Sequence, residues 1–142
     1  DIQLRLEVAE EIRIRGDELR LRQVFLNLLS NGIKYTPADG RVEIVLAAEE
    51  DQAVVTIADT GIGISEEHLP HIFDRFYRID RARNRQDGGT GLGLAIVKSI
   101  VDAHQGSIVA SSSPNEGSRF TVRLPIAGPV RPQDPVNIPL HR

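Results

Sequence analysis

Two segments of this chain space their apolar residues for a helix, whereas most of its other patterned segments alternate for a strand. "DIQLRLEV" alternates Ile2, Leu4, Leu6 and Val8, and "EIRIRG" reads as a second strand ending at Gly16. Asp17 is a good helix N-cap, and the helical pattern behind it runs to about Tyr35. "TPADGR" is turn chemistry, and "RVEIVLAA" with "AVVTIAD" predicts a hairpin whose second strand reaches Asp59. "SEEHLPHIF" predicts a short capped helix from Ser65. A further helix is expected from about Gly93 to Gln105, stopped by Gly106. The strands "GSIVASSS" and "SRFTVRLP", joined by a Pro-Asn-Glu-Gly turn, complete the pattern. This mixture predicts one sheet with helices on one face.

Composition narrows the class. With 142 residues, 40% apolar and 26% charged, the chain is expected to be one globular domain rather than a disordered segment. A formal charge of −3 argues against a general nucleic-acid binder. There is no apolar run of membrane-spanning length and no signal-peptide pattern, so no membrane contact is expected of this domain. The lack of cysteine fits a reducing, cytoplasmic setting. A start in mid-pattern and the lack of methionine predict a fragment of a longer protein. Residues 77–92 carry no periodicity and read as a mobile loop, and the proline-rich residues 127–142 read as a disordered tail after a domain spanning 1–126.

Along the long helix, Arg20, Gln23, Asn27, Asn31 and Lys34 share one face, while Leu21, Phe25, Leu28, Leu29 and Ile33 are expected toward the core. A plain solvent face would more naturally carry Glu and Lys, because asparagine competes for the backbone and is a mediocre helix former. Asn27, Asn31 and Lys34, at i, i+4 and i+7, can instead converge on one ligand. Amide oxygens suit a hard cation such as Mg²⁺, whose remaining ligands are waters and phosphates, and a lysine supplies a point charge for phosphate.

Glycine collects at two further places. "DTGIGI" sets Asp59 at a strand end, with Gly61 and Gly63 freeing the turn for a flat ligand whose exocyclic amine a carboxylate would accept. Taken alone, that stretch is better explained by an ordinary Asp-x-Gly turn, and Asp-Thr-Gly is also the aspartic-protease signature, which needs a second carboxylate and hence a dimer. "DGGTGLGLAIVKSIV" runs Gly88, Gly89, Gly91 and Gly93 into a helix, where unsatisfied amides and the helix dipole attract anions. It is neither a Walker A motif nor a dinucleotide fingerprint. Behind it, Leu94, Val97, Ile100, Val101 and His104 form an arc for the core, on which His104 is read as packing. Between the two motifs, "IFDRFYRIDRARNRQ" offers Phe73 and Phe76 as anchors for the loop base and several arginines within reach of a polyphosphate.

In order and spacing these residues resemble the catalytic ATP-binding domain of sensor histidine kinases, within the Bergerat-fold ATPases that include gyrase, heat-shock-90 and mismatch-repair proteins. The likeness covers about Ile2 to Pro125 and rests on an N box "NLLSNGIKYTP", a first glycine box "DTGIGI", an F box "IFDRFYR" and a second glycine box "GGTGLGLAI". It implies an α/β two-layer sandwich, a mixed sheet of about five strands packed against three helices. It further implies Asn31 as the Mg²⁺ ligand with Asn27 beside it, Lys34 at phosphate and Tyr35 on the adenine side. Asp59 would read adenine, flanked by Gly61 and Gly63, and Gly89, Thr90, Gly91, Leu92 and Gly93 would line the triphosphate. Phe76 and Arg78 complete the implied ATP contacts, with Phe73 as the partner of Phe76.

The resemblance also bears on chemistry. In hydrolysing relatives and anti-sigma-factor serine kinases, a glutamate serving as base stands where this chain has Asn27, which cannot take a proton. A neutral imidazole needs no such base, so transfer of the γ-phosphoryl to histidine is expected, with the protein supplying positioning and charge stabilisation. None of His68, His71, His104 and His141 has the phosphoacceptor context. The acceptor is therefore expected on a dimerisation domain absent from this chain, with a response regulator downstream and a parent kinase that is free to be membrane-anchored. A nucleotide-binding regulatory module with little chemistry, or a serine kinase or ATPase of the same fold, are the alternatives. Gly32 stands where the family more often has Ala.

Overall fold

A computed structural model describes residues 2–8, 11–77 and 93–126. The expected loop through residue 92 beyond Tyr77 and the proline-rich tail 127–142 lie outside the described residues. Five strands form one mixed sheet: β1 (Gln3–Val8), β2 (Arg41–Glu49), β3 (Gln52–Asp59), β4 (Ser107–Ser112) and β5 (Ser118–Pro125). Their order is β1-β2-β3-β5-β4, with β1 parallel to β2 and every other pair antiparallel. Helices α1 (Glu18–Lys34) and α2 (Gly93–Ala103) pack against each other and against this sheet, giving the expected two-layer α/β sandwich.

Register puts the apolar alternation to use. Val55 opposes Val122 and Ile57 opposes Phe120, while Ile108 opposes Val122 on the other side. Opposed residues share a face, so these side chains line the side that receives Leu21, Val24 and Leu28 of α1 and Val97, Ile100 and Val101 of α2. The buried stripe of α1 is Leu21, Val24, Leu28 and Gly32, centred nearer the asparagines than the sequence reading placed it. Ile33, expected in the core, is 43% exposed. The cause is that α1 packs on α2 as well as on the sheet, which draws the stripe toward Val24.

Two predicted elements take other forms. Residues 11–16 alternate in burial but pair with no strand among the described residues; β1 already occupies the position beside β2, and Ile14 packs against the core from an extended segment. The helix expected from Ser65 is a turn followed by a single 3-10 turn, Leu69–His71. Pro70 has no N–H to give and ends any α ladder there. Among the described residues the helical layer therefore holds two α-helices and this 3-10 turn, where three helices were expected.

Helix ends tie the layer together. Asp17 caps α1 by accepting from the backbone N–H of Arg20, at 3.2 Å. The N–H of Asp17 itself donates to Nε2 of His104 at 3.0 Å, while Nδ1 of His104 lies 2.8 Å from the carbonyl of Ile100. A carbonyl only accepts, so Nδ1 carries the proton and Nε2 the lone pair. His104 is thus a clasp between the start of α1 and the end of α2 rather than simple packing, and Gly16 makes room for it, since a Cβ there would come within 2.5 Å of the imidazole. The stop of α2 is Gln105, which adopts the left-handed conformation at φ 59°, while the N–H of Gly106 reaches back to the carbonyl of Val101. Gly106 is needed for a different reason: its Cβ would lie 2.3 Å from the carbonyl of Arg123.

Because a non-glycine residue in the left-handed region is strained, Gln105→Gly is expected to stabilise the domain by about 1 kcal/mol. Urea unfolding should show a raised midpoint at unchanged slope.

Candidate functional site

The described residues among those that the sequence singled out lie on the second half of α1, at the end of β3 and in the turn after it, at Phe73 to Phe76, and at the start of α2. Asn27 and Asn31 are half-buried at the edge of the helix's core stripe, and Lys34 and Tyr35 close its last turn. The ammonium of Lys34 lies 5.4 Å from the ring centroid of Tyr35. Gly32, one residue beyond Asn31, is buried over β2 and β3, where a Cβ would sit 3.4 Å from a methyl of Val42 and 3.8 Å from Oδ2 of Asp59. Those are ordinary contacts, so alanine fits here. They also show that the Asp59 carboxylate lies directly beneath α1.

Asp59 ends β3 and has unequal oxygens. Oδ1 accepts the backbone N–H of Gly61 at 2.8 Å and that of Ser118 at 3.3 Å. Oδ2 points toward Gly32. Burial raises the carboxyl's pKa above its ordinary value, and the two N–H donors oppose that rise without cancelling it. The result is a fixed acceptor with one oxygen aimed at the underside of α1.

The first glycine box has a tighter reason for glycine than room for a ligand. A Cβ on Gly61 would lie 2.4 Å from the carbonyl of Tyr35, the atom that accepts the N–H of Ile62. Gly63 sits at φ +76°, and a Cβ there would lie 2.0 Å from the carbonyl of Ser113. Both glycines let the turn press against the end of α1 and against the 113–117 turn, which fixes the donors around Asp59.

The two F-box phenylalanines separate. Phe73 packs edge-on against Phe120, with centroids 6.2 Å apart, and so anchors to the core. Phe76 is 61% exposed at φ 65°, with the Arg75 guanidinium 5.4 Å from its ring. Tyr77 is gripped by two imidazoles: its hydroxyl lies 2.6 Å from Nδ1 of His68, and its ring stacks on His71 at 5.3 Å.

Gly93 is the first residue of α2, and among the described residues nothing lies within 4 Å of the place its Cβ would occupy. The first turn carries no acidic side chain that would repel an anion. Arg78, Gly89, Thr90, Gly91 and Leu92 lie outside the described residues. Among the described residues no three His, Cys, Asp or Glu side chains cluster as metal ligands. Asn27 and Asn31 on α1 carry amide oxygens, a donor type that suits Mg²⁺ shared with phosphates rather than zinc. The sequence reading missed the serines and glycine of the β4–β5 junction: Oγ of Ser112 accepts the N–H of Ile64 at 2.7 Å, and Ser118 supplies a donor to Asp59. "SSSPNEGS" carries no periodic signal beyond that of a strand end and turn.

These elements define an ATP-binding α/β sandwich, and comparison with known proteins agrees. Residues 16–128 match the family described as Histidine kinase-, DNA gyrase B-, and HSP90-like ATPase, and the chain belongs to it. It is 48% identical over 116 residues to the sensor histidine kinase RppB of Synechocystis, covering 82% of this chain and 26% of that protein. To the phosphate regulon sensor protein PhoR of Pseudomonas aeruginosa it is 45% identical, again over 82% of this chain and 26% of the relative. The chain therefore spans about a quarter of the length of these curated relatives. Among solved structures, the mycobacterial sensor histidine kinase MprB superposes with a TM-score of 0.77 at 31% identity, over 88% of this chain and 82% of that one. The nucleotide-free catalytic domain of histidine kinase ThkA gives 0.75 at 31%, over 87% and 78%. Within the family the chain is an ATP-binding catalytic domain of the two-component sensor histidine kinase type. Among the described residues no helix is long and apolar enough to cross a membrane.

The raised pKa of Asp59 has a consequence for the nucleotide-free domain. A folded-state value above the unfolded one means the native state holds more protons in that window, so stability falls as pH rises through it. Asp59→Asn keeps an oxygen for the two N–H donors and removes the buried charge. Thermal scans of the empty domain at neutral pH should therefore show the variant melting no lower than the parent; a clear drop would contradict the origin assigned to the shift.

Proposed function

We propose that residues 1–126 form the catalytic unit of a histidine autokinase, followed by a proline-rich tail at 127–142, and that it places ATP·Mg²⁺ between α1, the end of β3 and the start of α2. The observation that carries this reading is Oδ2 of Asp59, which accepts no hydrogen bond among the described residues and is aimed at the α1 backbone one residue from Asn31. There it accepts the exocyclic amine of a purine, with Gly61 and Gly63 shaping the floor. Tyr35 covers the adenine side and Phe76 and Arg78 close over the nucleotide. Asn31 and Asn27 hold the metal through their amide oxygens, and Lys34 offers charge to phosphate. The glycines and neighbours at 89–93, ending at the start of α2, cradle the triphosphate.

Bound Mg²⁺ would supply charge neutralisation on the transferring phosphoryl group. The chain's own contribution is orientation, since no side chain at position 27 can act as a base. The acceptor histidine belongs to a dimerisation domain, and a response regulator takes the phosphoryl group onward. The kinase acts on the cytoplasmic side, and its parent is open to membrane anchoring.

Calorimetric titration with an ATP analogue, with and without Mg²⁺, separates the roles. Asp59→Asn is expected to weaken binding by roughly 10- to 100-fold whether or not metal is present. Asn31→Ala should instead abolish the gain that Mg²⁺ provides. Supplying a dimerisation domain in trans should yield an acid-labile phosphohistidine, and robust serine phosphorylation by the unmodified chain would overturn the assignment.

A further inference from the structure

The atoms around Asp59 lead to a residue on the far side of its donors. Oγ of Ser112, at the end of β4, accepts the N–H of Ile64 at 2.7 Å and donates to the carbonyl of Gly117 at 2.7 Å. It also lies 3.0 Å from Oγ of Ser118. A hydroxyl has one proton, and Ser112 spends it on Gly117, so the Ser118 hydroxyl is the donor in the third contact. The Gly117 carbonyl and the Ser118 N–H are opposite ends of one planar peptide. Ser112 holds the oxygen end, and Oδ1 of Asp59 receives the hydrogen end. Ile64, held by its own N–H, closes the turn that begins at Gly61, which gives Asp59 its other donor.

The surroundings leave this peptide little choice of path. Gly117 is buried at φ +85°, and a Cβ there would lie 2.0 Å from the backbone carbonyl of Asp59. The N–H of Asn115 reaches the carbonyl of Ile62 at 2.7 Å, so the 61–64 and 113–117 turns also touch directly.

We propose that Ser112 is a positioning residue for nucleotide recognition: its one hydroxyl fixes both backbone donors that orient the Asp59 carboxylate. It acts through Asp59 without touching the ligand. The proposal rests on Asp59 being the purine contact, and the experiment keeps the two apart.

The matched pair Ser112→Thr and Ser112→Val differs in a hydroxyl at nearly equal volume, with Ser112→Ala as the truncation. Binding of a β,γ-imido ATP analogue is measured by calorimetry from acid to neutral pH, alongside thermal unfolding of the same samples. Ser112→Thr should bind like the parent, whereas Ser112→Val and Ser112→Ala should lose about tenfold in affinity. Freed from its donors, the Asp59 carboxyl titrates higher, so the pH below which binding fails should move upward in those two variants. Equal affinity and an unmoved pH profile in Ser112→Val, with Asp59→Asn still defective, would overturn the role of Ser112. An Asp59→Asn variant that binds like the parent would overturn the reading beneath it. Should Ser112→Val and Ser112→Ala fail to fold, the amide protons of Gly61 and Ser118 in the unmodified protein decide: both must shift with one common midpoint as Asp59 titrates, and a Ser118 amide that stays still would sink the proposal.

Discussion

A carboxylate half-buried at a strand end is unstable unless its position is forced, and the turns around β3 are organised around forcing it. Asp59 lies under α1, where desolvation disfavours its charge. Two backbone N–H groups hold one oxygen and leave the other turned toward the helix. Each donor belongs to a turn that only glycine can make: Gly61 against the Tyr35 carbonyl, Gly117 against the backbone of Asp59 itself. The register of β3 against β2 and β5 then places that carboxylate between Val42 and Ser118. A one-residue slip would turn the carboxylate to the opposite face of the sheet.

Much of this was legible in the chain before any coordinates. Strand alternation in "SRFTVRLP" was sufficient because β5 has one buried face, and period-2 burial leaves a period-2 pattern, whereas β3 buries Ala53, Val54 and Val55 in succession and shows instead as an apolar run. The cap at Asp17 was readable because capping chemistry is local. What escaped reading was set by neighbours distant in sequence. Val24 and Ile33 exchange roles because α2 packs on α1, which a helical wheel drawn for one helix cannot contain. The "EIRIRG" alternation is real, but a strand also needs a partner, and β1 had taken it.

The site divides in the same way. Asp59, Asn27 and Asn31 were singled out because their types are unexpected in their places: a carboxylate after an apolar strand, amides along a helix. Ser112 was not found, because serine at a strand end is unremarkable and its partners, Ile64 and Gly117, come from two other segments. His104 was noticed, yet its bond to the N–H of Asp17 spans 87 residues and could not be inferred from the arc on which it lies. Polar side chains that satisfy backbone groups across long separations leave no periodic trace.

Glycine's two uses here have opposite physical grounds. At 61, 63 and 117 the missing Cβ makes room for the protein's own carbonyls, so these positions lock the turns that surround Asp59. At Gly93 no described residue lies within 4 Å of where a Cβ would be, so among the described residues the missing side chain serves no internal contact. A recognition site needs both: a floor stiff enough to hold a carboxylate in one orientation, and an anion-binding end that the protein does not fill by itself. Stiffness around Asp59 follows from the interlocked turns and their backbone donors. Burial still disfavours the Asp59 charge in the nucleotide-free domain after its two backbone donors are counted, and a further hydrogen-bond donor arriving at Oδ2 would offset part of that cost.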